Sequence, residues 1–256
     1  MRGLAVLLAV MATVGAVWTA PVRAQDLDAR AILEKTIEAA GGEDWANVRT
    51  LVLSGHAVFY PQGTHQPQVK ADRYAMWRVF DPDRAEAHGP DGLVRIDSFI
   101  GDKVMFQVSY DGQDSWNQNG KVDPKEAERM WASNFGFGII RHALKPGFKI
   151  SRLPDDLVDG HPVYMVRIED PKGGKTLFGM DKKTFHIRKA GFDTARGWHE
   201  RIYDDFKVLE NPRWVQAGHL RLYYDGVMAN EVWWTETKVN VPIDKALFTL
   251  GEPKVK

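Results

Sequence analysis

Apolar and polar residues alternate with a period of two along most of the chain after residue 50, a pattern typical of half-buried β-strands. The alternating runs and the turn residues that bound them predict ten strands: Leu51–Tyr60, Gln68–Phe80, Leu93–Ile100, Lys103–Tyr110, Val163–Ile168, Thr176–Met180, Phe185–Ala190, Glu200–Val208, Gly218–Tyr224 and Asn230–Val239. Short connections and few helices indicate one antiparallel sheet, which must curl or close to protect its edges.

Helical spacing of apolar residues interrupts the strands twice. The first helix begins at Asp26–Asp28, where either aspartate can act as the cap, and ends at Gly41. The second begins after Asp123, with proline at its first position, and its apolar face extends to Phe135. The segment Asn134–Ile140 then combines four large apolar side chains with two glycines. Because glycine weakens a helix, we expect a flexible backbone that carries large apolar side chains.

Two pairs of adjacent aromatics stand in predicted strands, Tyr223-Tyr224 and Trp233-Trp234. Successive side chains of a strand point to opposite faces of the sheet. Each pair therefore places one large aromatic on each face, so something must cover both faces or fill the space beside them.

The amino-terminal residues have the features of a secretory signal peptide. Arg2 precedes the uncharged apolar run Leu4–Val17, and small residues at Val22 and Ala24 favour cleavage before Gln25. The run is shorter than the ~20 apolar residues that span a bilayer. We therefore expect an exported protein whose first 24 residues are removed.

Composition narrows the class of protein. Removal of residues 1–24 would take away two arginines and no acid, so 34 basic and 34 acidic residues become 32 and 34. This balance gives no support to nucleic-acid binding. The chain has no cysteine, which suits a bacterial periplasm and excludes a lipid anchor attached through cysteine. We predict that residues 25–256 form a single β domain that is soluble in the periplasm.

Motifs for catalysis are absent from the sequence. The eight histidines show no HExxH spacing, and there is no GxSxG elbow, cysteine nucleophile, GxGxxG motif or P-loop. His199 and Asp205 would lie about 20 Å apart along one strand, so we interpret both as surface residues. Asp155, Asp156 and Asp159 are interpreted as loop residues before a glycine. We predict neither an enzyme nor a cofactor, with a hydrolase that has a diffuse site as an alternative.

The predicted hairpin around residue 185 is basic, with Lys182, Lys183, His186, Arg188 and Lys189. Such a hairpin could contact anionic head groups, each charge contributing about 1 kcal/mol near the surface. It could equally be a solvated hairpin with no partner.

The carboxyl-terminal part of the chain resembles a known family. The stretch "YDDFKVLENPRWVQAGHLRLYYDGVMANEVWWTETKVNVPIDKALF", residues 203–248, is similar to the end of the LolA-like periplasmic lipoprotein carriers and their outer-membrane lipoprotein-sorting relatives. "LFGMDKKTFHIRKAGF" and "ILEKTIEAAGGEDWANVRTL" resemble further elements of this superfamily.

The resemblance implies a mainly β fold: a half-open antiparallel β-barrel with an amino-terminal helix, an internal helical lid and a concave apolar cavity for acyl chains. It also implies a periplasmic carrier or chaperone for a lipid, a lipidated protein or another hydrophobic ligand, served by membrane-associated donor and acceptor proteins. An envelope module that binds a protein partner is the alternative.

Within such a barrel, the large apolar side chains of the strands and the lid are the candidate ligand contacts. We expect these to be Phe106, Trp131, Phe135, Phe137, Ile140, Phe178, Tyr223 and Trp233. Trp233 is placed on the cavity side because it alternates with small threonines, and Trp234 on the packed convex side with the amino-terminal helix. Gly136 and Gly138 would act as a hinge of the lid. Alternatively, the aromatics fill an ordinary core.

Overall fold

The computed structural model describes residues 27–60, 69–131 and 138–251. The predicted signal peptide, residues 1–24, lies outside these ranges. The described strands are β1 Thr50–Phe59, β2 Val69–Val79, β3 Leu93–Ile100, β4 Lys103–Tyr110, β5 Ser115–Asn117, β6 Gly120–Lys121, β7 Lys149–Val158, β8 His161–Glu169, β9 Lys175–Asp181, β10 Ile187–Thr194, β11 Gly197–Glu210, β12 Arg213–Tyr224 and β13 Val227–Val239.

All of these strands belong to one sheet in the order β6-β5-β4-β3-β2-β1-β13-β12-β11-β10-β9-β8-β7. Every pairing is antiparallel, and β13 joins the two halves of the chain by pairing with β1. The two end strands, β6 and β7, do not pair with each other, so the curled sheet stays open on one side. The predicted half-open antiparallel barrel is confirmed.

The described residues form thirteen strands rather than about ten. One strand that the sequence pattern missed is β7, which contains Asp155 and Asp156, so these two are not loop residues. The turn lies at Asp159 and Gly160, which both have positive φ. Charges and a proline are common on edge strands because they discourage pairing with other chains, and Pro154 accompanies an irregularity in the β7–β8 register.

Three α-helices and two short 3-10 helices accompany the sheet in the described residues: α1 Ala29–Ala40, α2 Glu43–Ala46, α3 Pro124–Trp131, and the 3-10 helices Gly138–Arg141 and Lys245–Phe248. Asp28 caps α1 by accepting a hydrogen bond from the Ala31 N–H at 2.8 Å, as one of the two sequence alternatives predicted. No helix in the described part of the chain is both long and apolar enough to cross a bilayer.

The amino-terminal helix packs on the concave side of the sheet. Ile32 and Leu33 of α1 are fully buried, in the same core as Ile140 of the 3-10 helix and Phe178 of β9. The expectation of a helix on the convex side is therefore wrong. Both halves of the sheet curl around α1, α2 and the Gly138–Arg141 helix, and this arrangement creates the candidate site.

Candidate functional site

A cavity of about 160 Å³ lies between the concave face of the sheet and the helices. Its apolar walls come from strands of both halves of the sheet and from α1 and α2. The described apolar and aromatic lining residues are Ala40, Trp45, Leu51, Leu53, Tyr74, Met76, Phe80, Ile96, Ile187, Tyr203, Phe206, Trp214, Val215, Ala217 and Trp234. Because these side chains come from distant parts of the sequence, the curl of the sheet is what forms the cavity.

A local distortion of β11 determines which of its side chains enter the cavity. In β11, Asp205 has φ 50° and interrupts the regular pairing with β12 without a change of register, so the strict alternation of faces is broken there. Tyr203 and Phe206 consequently both line the cavity, although they are three residues apart. On β12, Gly218 lies opposite Asp205 and leaves room for this distortion, since a Cβ there would lie 2.4 Å from Asp205 Oδ2.

Three arginines also line the cavity: Arg78 from β2, Arg141 from the 3-10 helix and Arg201 from β11. Among the described lining residues there is no aspartate or glutamate. Burial lowers the pKa of Arg78, and the positive charges of Arg201 and Arg141 act in the same direction, while Asp91 opposes them. The cavity is therefore apolar over most of its wall but electropositive at its polar side chains.

Arg141 is held by a buried ion pair. Its Nη2 donates to Asp91 Oδ2 at 3.2 Å, and the two side chains are 3% and 0% exposed. The guanidinium carbon lies 4.2 Å from the ring centre of Phe80 and 5.8 Å from that of Trp45. Burial lowers the pKa of Arg141 and the Asp91 carboxylate opposes this shift. The pair fixes the 3-10 helix to the segment between β2 and β3.

Arg201 is positioned by two neighbours on its own strand. Its Nε donates to His199 Nε2 at 2.9 Å, and it also donates to the Tyr203 hydroxyl. Burial, reinforced by the charge of Arg201, lowers the pKa of His199 to about 2, so the imidazole is neutral and accepts this hydrogen bond. His199 is fully buried, and its assignment to the surface is wrong.

The structure describes six of the eight predicted contact residues. Phe135 and Phe137 lie outside the described residues. Ile140 and Phe178 are fully buried core residues, and the remaining four lie elsewhere in the fold. None of the six described candidates lines the central cavity.

Two of those four belong to the region around β3 and β4. Phe106 is half-buried, with its ring centre 5.9 Å from that of Phe59. Trp131 is buried at the end of α3 and donates its Nε1–H to Ser115 Oγ at 2.8 Å. These aromatics fill a side cluster of the core with Val94.

The other two, Tyr223 and Trp233, are turned away from the cavity. Tyr223 packs against a cluster separate from the main core, which includes Val163. Trp233 stacks between His56 and His219, with ring centres 5.1 and 4.8 Å away. The adjacent residue, Trp234, lines the cavity instead, so the predicted sides of this pair are reversed. The alternation of side chains along a strand predicted that Trp233 and Trp234 lie on opposite faces of the sheet. Which of them faces the cavity depends on the elements that pack on each face, and these are not visible in the local sequence.

The convex side below Trp233 is polar. His219 contacts Asp204 through Nδ1 at 2.9 Å and Glu231 through Nε2 at 3.2 Å. Glu231 also accepts a hydrogen bond from the Tyr60 hydroxyl, and this bond raises the pKa of Tyr60 to about 12. This network gives Trp233 a polar, half-buried setting that differs from the mostly apolar cavity side.

The basic hairpin has most of its charge paired within the protein. Arg188 Nε donates to Asp181 at 2.6 Å, Lys189 lies 2.8 Å from Glu200, and Lys182 pairs with Asp155. These contacts tie the hairpin to neighbouring strands of the sheet.

A second, wider cleft of about 670 Å³ lies beside α3. Its lining includes Trp131 together with the acids Asp114, Glu128 and Asp193. An acidic cleft suits an apolar ligand less well than the central cavity, whose wall is mostly apolar. Within the described residues, no group of three or more metal-ligand side chains is arranged to hold a metal ion.

Three solved structures are similar to this chain. A LolA superfamily protein from Nitrosomonas europaea matches with a TM-score of 0.54 and 13% identity, over 87% of this chain and 98% of that chain. An outer-membrane lipoprotein-sorting protein domain from Vibrio parahaemolyticus gives a TM-score of 0.45 and 11% identity, over 85% and 94% of the two chains. A DUF1329 family protein from Desulfovibrio piger gives a TM-score of 0.47 and 11% identity, over 86% of this chain and 97% of that chain.

No family model and no curated protein matches the sequence. The likeness to the Nitrosomonas protein extends over nearly the whole length of both chains and concerns the fold. It agrees with the one curled, open antiparallel sheet and the concave helices described above. This chain has a LolA-like fold.

Proposed function

We propose that this chain is a periplasmic carrier or chaperone that binds a hydrophobic ligand in the cavity between the sheet and the helices. The ligand is a lipid or the acyl part of a lipidated protein, and membrane-associated proteins deliver and receive it. The observation that carries the proposal is the apolar cavity itself, which sits inside the curl of the sheet rather than on its surface. Apolar, enclosed pockets with a few polar groups are typical small-molecule sites.

The size of the cavity limits how large a ligand it can hold. An engineered cavity of about 150 Å³ holds benzene, so the present volume accommodates a similarly small apolar group. A full acyl chain requires more space. To provide it, the helical wall formed by α2 and the Gly138–Arg141 helix would have to move and break the Arg141–Asp91 ion pair, because the strands are held by their hydrogen-bonded ladders.

The amino terminus and the composition support a periplasmic location. Residues 1–24 have the order of a signal peptide, and a chain without cysteine needs no disulfide after export. A periplasmic carrier must shield apolar groups from water during transit, and a cavity that both the sheet and the helices cover does so.

Titration with the fluorescent probe N-phenylnaphthylamine tests this function. Ala217 lines the cavity, so Ala217→Phe fills part of the space. The matched control is Val208→Phe, on the same β11–β12 ladder but 57% exposed. We expect saturable binding to the wild type, at least tenfold weaker binding to Ala217→Phe, and no change in Val208→Phe. Equal binding by all three folded proteins would show that the probe occupies another surface, and the proposal would be wrong.

A further inference from the structure

We infer that His142 makes the helical wall of the cavity sensitive to acid: protonation of its imidazole opens the segment of residues 138–145 and so admits a ligand. His142 directly follows the Gly138–Arg141 helix, whose first and last residues line the cavity. The inference adds control by pH to the proposed function. It concerns a movement of the protein alone, so it can be tested without a ligand.

The ring of His142 is buried without a hydrogen-bond partner. The residue is 5% exposed, and neither Nδ1 nor Nε2 is hydrogen-bonded within the part of the chain that the structure describes. A neutral imidazole has one N–H donor and one acceptor nitrogen, and the closed wall leaves both unpaired. Unpaired buried polar groups are rare because burial removes their hydrogen bonds to water. Exposure of this ring to water therefore relieves a cost that the closed wall imposes even before a proton binds.

The surroundings of His142 oppose its protonation while the wall is closed. Burial is the main cause, and the positive charges of Lys145 and Arg141 on the same segment act in the same direction. Asp91 and Asp81, from the segment between β2 and β3, act in the opposite direction, but Asp91 is already paired with Arg141 at 3.2 Å. Together these effects lower the pKa of His142 from 6.5 to about 4.

The backbone around His142 ties the position of its ring to the closed segment. Its N–H donates to the Ile139 carbonyl at 2.9 Å, and its own carbonyl accepts from the Lys145 N–H at 2.8 Å. Ile139 and Ala143, on either side of it, are buried in the main core. Because the ring is packed among these residues, hydration of an imidazolium requires the segment to move away from the sheet. The same movement breaks the backbone hydrogen bonds, so amide exchange reports it directly.

The direction of the pH effect follows from the lowered pKa of His142. Above pH ~6.5 the imidazole is neutral in both the closed and the open segment, so pH does not affect closure. As the pH falls from ~6.5 toward ~4, the open segment binds a proton that the closed segment does not bind, and the closed state loses stability. The equilibrium constant for opening should therefore rise about 30-fold between pH 7.5 and pH 5.0.

Hydrogen exchange measured by mass spectrometry at pH 5.0 and 7.5 tests the inference, with each rate corrected for the intrinsic pH dependence of exchange. In the wild type, we expect the protection of the amides of residues 138–145 to fall at least about tenfold at pH 5.0. Strand β1, in the middle of the sheet, is the internal reference, and its protection should change less than about threefold.

His142→Leu removes the titrating group, keeps a similar volume and leaves no polar atom unpaired. In this variant, the protection of residues 138–145 should change less than about threefold between the two pH values. His142→Gln is neutral at both values and replaces the leucine variant if that protein does not fold. His161→Leu is the matched control, since the His161 side chain is 50% exposed, and it should keep the response of the wild type.

Equal protection of residues 138–145 at both pH values in the wild type would overturn the inference. An acid response that persists in His142→Leu or His142→Gln would also overturn it, because another group would then be titrating. A parallel loss of protection in β1 would show global unfolding instead of an opening of the wall. Each of these results leaves the proposed carrier function intact, since binding of N-phenylnaphthylamine at pH 7.5 tests that function separately.

Discussion

At the scale of single residues, the buried ion pair of Arg141 and Asp91 shows how tightly the helical side of the cavity is packed. Gly138 lies against the same carboxylate, and a Cβ at this position would come within 2.3 Å of Asp91 Oδ2. The glycine thus serves close packing, and Gly138→Ala would disturb the ion pair instead of simply stiffening a hinge. Its proposed hinge partner, Gly136, lies outside the described residues.

We expect Asp91→Asn to lower the free energy of unfolding by about 3–5 kcal/mol, because it leaves the buried Arg141 charge without its counter-ion. Urea denaturation followed by tryptophan fluorescence measures the change. Asp102→Asn is the control, since Asp102 is fully exposed beside Arg73 at 3.7 Å and should change stability by less than about 0.5 kcal/mol. A similarly small effect of both substitutions would contradict the role of the buried pair.

The adjacent tryptophans provide a second residue-scale prediction. Trp234→Ala should cost about 3–5 kcal/mol of stability and weaken probe binding, since it removes a buried ring that packs 5.4 Å from the Tyr74 ring. Trp233→Ala removes a half-buried ring on the opposite face, so it should cost about 1–2 kcal/mol and leave probe affinity within about twofold. Thermal melts and probe titrations of both variants provide the comparison. Weaker probe binding by Trp233→Ala alone would show that the faces are assigned wrongly.

At the scale of the elements, the period-two pattern and the turn residues predicted most strands, because both are local properties of the sequence. They could not predict β7, because Pro154, Asp155 and Asp156 are typical of a loop. Such residues are compatible with a strand only when it lies at the edge of a sheet, and the sequence does not show which strand does. The pattern and the turn residues also could not predict the distortion at Asp205, which depends on Gly218 of the neighbouring strand. The sequence did not predict the cavity residues for the same reason. Arg201 and Trp45, for example, line one cavity only because the sheet curls.

The β9–β10 hairpin offers a prediction about pH. Burial acts to raise the pKa of Asp181, but hydrogen bonds from Arg188 and from the Thr184 and Lys183 N–H groups outweigh it and lower the pKa to about 2. Its unfolded pKa is about 4, so the carboxylate stabilises the fold fully above pH ~4, and this contribution is lost as the pH falls toward 2. We expect Asp181→Asn to be less stable than the wild type by about 1–3 kcal/mol at pH 7.

Urea denaturation at a series of pH values between 2 and 7 measures this difference. The gap between the wild type and Asp181→Asn should narrow between pH ~4 and ~2, because protonation of Asp181 removes the same interaction as the substitution. A gap that stays constant over this range would show that the hairpin is not stabilised by the charge of Asp181.

At the scale of the whole molecule, the pairing of β13 with β1 joins the two halves of the chain into one open sheet. Because this pairing makes the sheet continuous, its concave face is large enough to hold α1, α2 and the Gly138–Arg141 helix and to leave a cavity beside them. The resemblance in the sequence correctly predicted this LolA-like architecture. The positions of the polar groups within the cavity were not predictable, because they depend on strand registers and bulges.

The central claim is that the cavity holds an apolar ligand in the periplasm, and mass spectrometry of an organic extract tests it most directly. The wild type and the cavity-filling variant Ala217→Phe are exported in the same bacterial host, purified from the periplasm without detergent and extracted in parallel. We predict a lipid or an acyl-containing compound in near-stoichiometric amount from the wild type and at most a tenth of that amount from the folded variant. Equal amounts from both proteins, or no such compound from the wild type, would contradict the account.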